Sequence, residues 1–102
     1  MKKARVLVNA IEAGILEKLN KGKYKFTYHP DYQGAPVSLT MPLNHPCYEF
    51  DVFPPFFEGV LPEGIMLEAL LRKYKIDRND CFAQLIKVGK DVVGAVTVEE
   101  LS

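Results

Sequence analysis

Lys23-Tyr24-Lys25-Phe26-Thr27-Tyr28 alternates polar and aromatic residues without a break. Successive side chains on a strand point to opposite faces, so the pattern puts three rings on one buried face and leaves the other face wet. Asn20-Lys21-Gly22, just upstream, supplies a turn, because Asn and Gly tolerate positive φ. Before it, Ala4 to Asn9 reads as a first strand with Val6 and Val8 on one face. Glu12-Ala13-Gly14 reads as a turn, and Ile15-Leu16 as the start of a second strand. Strands joined by such short turns form an antiparallel meander.

Downstream the pattern changes. Pro30 to Phe57 is irregular, with prolines at 36, 42, 46, 54 and 55 and one short strand candidate, Val37-Ser38-Leu39-Thr40. A loop of this length in a small domain is usually functional or wrapped on something. Pro54-Pro55-Phe56-Phe57 closes it, and at least one of the two rings is expected in the core. A helix is then predicted from Pro62 to Tyr74, with Glu63 in its first turn. Met66, Leu67, Leu70, Leu71 and Tyr74 form its apolar stripe, expected to pack on the sheet, and Glu68 pairs with Arg72 on the far side. Ile65 falls with Glu68, Ala69 and Arg72, opposite the stripe, where an isoleucine is out of place in a free monomer. Asn79 or Asp80 caps a second helix carrying Phe82, Leu85 and Ile86 on one face and ending at Gly89. A last strand, Val92 to Val98, precedes a polar tail. The expected class is α+β: a small antiparallel sheet, two helices packed on one face and a Pro-rich loop, in a single domain over 1–102.

Composition narrows the function. Lysine plus arginine and aspartate plus glutamate each number 13, for a net charge of zero, without the basic excess usual in nucleic-acid binders. Lys18, Lys21, Lys23 and Lys25 cluster locally and read as a solvated hairpin tip. The longest apolar run is far short of the roughly 20 residues that span a bilayer, and the N-terminus lacks the apolar core of a signal peptide. Cys47 and Cys81 form neither a disulfide framework nor a paired zinc spacing, which points to the cytosol with both thiols reduced. There is no P-loop, nucleophile elbow or kinase catalytic loop. His29 and His45 each lie beside a proline and read as surface or locally bonded histidines, and Asp51, Glu58 and Glu63 as turn and helix-end carboxylates. No catalytic residue, metal site or cofactor is expected.

Three ordered runs carry a resemblance. Gly34-Ala35-Pro36-Val37-Ser38-Leu39-Thr40-Met41-Pro42-Leu43, Pro54-Pro55-Phe56-Phe57-Glu58-Gly59-Val60-Leu61-Pro62-Glu63-Gly64, and Ile76-Asp77 through Asp80-Cys81-Phe82-Ala83 to Gly89-Lys90-Asp91-Val92-Val93-Gly94-Ala95-Val96 resemble the N-terminal region of HipA-type toxin kinases. That region is normally fused to a kinase core, and a free-standing copy looks like the HipS antitoxins of HipBST toxin–antitoxin systems. The resemblance implies a cytoplasmic, non-enzymatic antitoxin that docks on a HipT/HipA-like serine/threonine kinase near its active-site cleft. It implies a HipB-like helix-turn-helix protein as a further partner, with DNA reached only through the complex. The opposite sign, an accessory subunit required for kinase activity or operator-bound autorepression, is the alternative. The expected contact residues are Phe57, Leu61, Pro62, Glu63, Gly64, Ile65, Met66 and Ala69. The family often places a large aromatic after Leu-Pro-Glu-Gly; here Ile65 takes that position, and the chain has no tryptophan.

Overall fold

A computed structural model describes residues 2–89 and 95–101. Among these residues five strands run in order: β1 (Lys2–Val8), β2 (Ile11–Lys18), β3 (Tyr24–Tyr28), β4 (Cys47–Phe50) and β5 (Val96–Leu101). They form one antiparallel sheet ordered β4-β3-β2-β1-β5, so the last strand returns to the edge beside the first. Among the described residues three helices follow β4: α1 (Pro55–Glu58), α2 (Gly64–Tyr74) and α3 (Cys81–Val88). The α+β class and the antiparallel sheet are those predicted. The helix layer gains α1, a single turn that Pro54 and Pro55 open where the sequence signalled only a stiff segment.

The alternation in β3 does what its pattern demands. Tyr24, Phe26 and Tyr28 are buried, while Lys25 and Thr27 lie on the opposite face. Ala4, Val6 and Val8 from β1, Leu16 from β2 and Val98 from β5 complete the buried side of the sheet. Phe57, Phe82 and Leu85 from the helices cover it. Rings meet edge to face, as between Tyr24 and Phe53 at 5.1 Å and Phe26 and Tyr28 at 4.8 Å, a geometry worth about 0.5–1.5 kcal/mol beyond area burial.

Several local expectations are corrected. The turn between β1 and β2 is Asn9-Ala10, both with positive φ (53° and 68°), and not Glu12-Ala13-Gly14. An alanine in a position that usually holds glycine hid the signal. Ala13 instead makes a bulge, since Val6 pairs with Gly14 but Leu7 pairs with Glu12. Gly14 is required there, because a Cβ would lie 2.2 Å from the Thr27 carbonyl oxygen. The fourth strand is Cys47–Phe50; Val37–Thr40 forms only a turn closed by a Ser38–Met41 bridge, with Val37 buried. The helix predicted from Pro62 starts two residues later, its first bond running from the Leu67 N–H to the Glu63 carbonyl at 3.4 Å. Glu68 pairs with Arg78 from the following loop and not with Arg72. The five-residue stripe narrows to buried Leu71 with half-buried Leu67 and Leu70. In α3, Asp80 is the cap and accepts from the Ala83 N–H at 3.1 Å. The final strand runs to Leu101 and takes in Glu99 and Glu100, expected as tail; Val92 and Val93 lie outside the described residues.

Candidate partner interface

The long loop after β3 is tied down by three tyrosine hydroxyls. Tyr28 donates to the Met41 carbonyl at 2.5 Å and accepts from the Val37 N–H at 2.9 Å, both buried. Tyr32 donates to the Ala35 carbonyl at 2.6 Å, and Tyr48 to the Pro42 carbonyl at 2.6 Å. These bonds hold the Pro-rich segment to the sheet and deliver the chain to Pro54 in a fixed direction.

From there the expected contact residues separate into support and surface. Phe57 is 0% exposed and meets the Phe26 ring at 6.4 Å, so it is core and cannot touch a partner; its place in the contact set is corrected. Phe56 packs edge to face on it at 5.2 Å. Leu61 and Pro62 are half-buried, with Leu61 against the core. Glu63, Gly64, Ile65, Met66 and Ala69 are exposed. Gly64 takes φ +58°, a left-handed conformation that L side chains rarely adopt, and this turn swings the first residues of α2 outward. Ile65 is consequently 86% exposed and Met66 70%. Ala69, four positions on, continues the Ile65 face along the helix. The wheel argument for Ile65 therefore has a structural basis.

Leu39, Val52 and Ile11 are also exposed, in turns and at the β1–β2 hairpin, and the sequence did not single them out. Leu39 was hidden by its expected strand, where alternation would have buried every second residue. Val52, Met41, Phe50 and Phe56 help to line a shallow apolar groove of about 420 Å³.

His29 bonds to the Glu12 carboxylate, which also lies 2.9 Å from Arg5 Nε, giving a charge cluster on the open sheet face. His45 packs edge to face on Tyr48 at 6.0 Å. Burial pushes the Cys81 thiol up, reinforced by Glu58 and Asp80, the reverse of what a nucleophilic thiolate needs. Among the described residues no group of three or more His, Cys, Asp or Glu side chains is placed to hold a metal ion, and no helix is long and apolar enough to cross a membrane.

The model of the HipA N-terminal domain matches residues 4–99. This chain belongs to that family. A solved structure described as the N-terminal domain of HipA toxin superposes with a TM-score of 0.79 at 28% identity, covering 100% of this chain and 94% of that one. An uncharacterized protein of Haemophilus influenzae is 34% identical over 87 residues, 85% of this chain and 81% of the relative. Membership of the HipA N-terminal family puts the chain in a toxin–antitoxin context. The relatives matched are the HipA N-terminal domain, a non-catalytic subdomain, which is compatible with a protein that is not an enzyme.

Proposed function

We propose that this chain is a HipS-like antitoxin that binds a HipA/HipT-type serine/threonine kinase near its active-site cleft and neutralises it. The observation that carries the reading is the head of α2, where Ile65 and Met66, consecutive in sequence, both stand in solvent on a helix opened by Gly64. Two adjacent large apolar side chains at a protruding helix start cost hydration energy until covered. Leu61, Pro62, Glu63 and Ala69 flank them and form the rim of the contact, with Leu61 packed on the core that holds Phe57. An interface of standard size hides about 800 Å² per partner, and such a helix head supplies its anchor. Isoleucine fills less of a pocket than the family's aromatic, so Met66 shares the load. A HipB-like DNA-binding protein joins through the kinase, in the cytoplasm.

Ile65→Glu tests this. Burial of an isoleucine is worth about 1.5–3 kcal/mol, so affinity for the cognate kinase falls at least roughly 10- to 150-fold. Circular dichroism stays unchanged because the side chain is almost wholly exposed in the free chain. Cells expressing the kinase are rescued by the wild type and not by the variant. Rescue by the variant at wild-type strength refutes the contact, and deeper growth arrest on co-expression of the wild type makes the chain an activator instead.

A further inference from the structure

We propose that the C-terminal end of α2 contacts the phosphate backbone of duplex nucleic acid. Four of the seven residues from Arg72 to Arg78 are cations: Arg72, Lys73, Lys75 and Arg78. All four are exposed, and Lys87 at the end of α3 joins them. Tyr74 marks the centre. It is 42% exposed, with Lys73 Nζ 5.3 Å and Lys87 Nζ 5.0 Å from its ring centroid. Two ammonium groups drawn to one ring lie within about one Debye length of each other, ~10 Å at 0.1 M salt, and repel unless an anion comes between them.

Of the neighbouring carboxylates, Glu68 neutralises Arg78 within the cluster, the Asp77 carboxylate accepts from the Asn79 N–H at 2.8 Å, and Asp80 caps α3 and lies 3.8 Å from Lys18. Among the described residues Arg72, Lys73, Lys75 and Lys87 have no carboxylate partner, whereas Lys3, Arg5, Lys18 and Lys23 all do. The sequence cluster Lys18–Lys25 is thus half neutralised, and the unbalanced positive surface lies at the far end of α2. Complementing the negative helix ends explains basic residues in the last turns. It does not explain Lys75 beyond the helix, nor the convergence of Lys73 and Lys87 across two helices.

The charge arrangement selects the occupant. Among the described residues, open grooves lie by β4, on the open sheet face and beside the β1–β2 hairpin, none of them lined by these cations. The cations here are spread over exposed helix ends, which suits a rigid rod carrying one charge about every 3.4 Å per strand. Lys73 follows Ile65 by eight residues, about 12 Å of helix rise, so the apolar head and the basic end can be occupied together. With a neutral chain as a whole, the contact is weak and salt-sensitive, and adds to a complex already held at DNA.

Fluorescence anisotropy of the full chain with a labelled 30-base-pair duplex tests the assignment. Three or four phosphate contacts predict a loss of roughly 40- to 150-fold in affinity between 50 and 200 mM salt. Lys73→Glu combined with Lys87→Glu weakens duplex binding at least tenfold at the lower salt, with circular dichroism confirming the fold. Lys21→Glu combined with Lys25→Glu, reversing two other unpaired cations, leaves it within about twofold. Equal losses from both pairs, absence of duplex binding at 50 mM salt, or binding of a polyglutamate peptide in preference to duplex overturns the proposal. Because the kinase is not in this assay, its outcome is independent of the Ile65 experiment.

Discussion

Gly89, like Gly14, is set by the backbone it faces. Gly89 ends α3 against β5, and a Cβ there would sit 2.2 Å from the Val98 carbonyl oxygen and 2.9 Å from its Cβ. That carbonyl belongs to a strand and cannot swing aside as a side-chain tip can. Gly89→Ala therefore lowers stability by about 2–3 kcal/mol, read as a lower urea midpoint at unchanged slope. Gln84 is the counterpart among polar residues. Wholly buried, it donates to the Arg78 carbonyl at 2.9 Å and fixes the turn that brings Arg78 to Glu68. Sequence marked Gly89 as a helix end, which it is, but the pressure of Val98 on it comes from a strand packed against α3 and leaves no local trace.

The long loop shows most clearly which elements sequence can resolve. Its ends were legible through Tyr28 and the Pro54-Pro55 pair, because alternation and proline act locally. Its interior was not. β4 carries Cys47-Tyr48-Glu49-Phe50 with only two aromatics in register, and its hydrogen bonds to β3 override a weak pattern. Ser38 and Thr40 bond to each other at 2.9 Å, which favours a turn over the strand that Val37 and Leu39 suggested. Tyr28→Phe tests how the loop is held. It strands the buried Val37 N–H and Met41 carbonyl, costs about 1–3 kcal/mol, and hastens proteolytic cleavage between residues 30 and 46. The exposure of Ile65 was legible for the reason that α2 is a regular helix: an isoleucine off the apolar stripe has a determinate direction. Phe57 was misassigned because adjacent rings on an irregular segment have none.

Across the molecule, the open face of the sheet is laced with opposed charges, Lys3 with Glu17 at 3.9 Å and Arg5 with Glu99 at 3.8 Å among them. Exposed pairs of this kind contribute little stability but keep the face wet. The titration behaviour of the fold lies on the other side. Tyr24 and Tyr28 are pushed above their ordinary value of 10.0, chiefly by burial, with the Val37 bond partly opposing the shift at Tyr28. The unfolded chain thus ionises first. Stability from these groups is complete below pH 10 and falls as pH rises past it, and absorbance at 295 nm shows tyrosinate appearing later in folded than in urea-unfolded protein. The sheet, α1 and α3 share one core, whereas α2 buries a single residue, Leu71, between Gly64 and a left-handed Lys75. Eleven residues are too few for a helix to persist on local propensity alone. This segment can therefore fray while the remainder stays folded, and whatever clasps it gains affinity only after repaying the order it imposes.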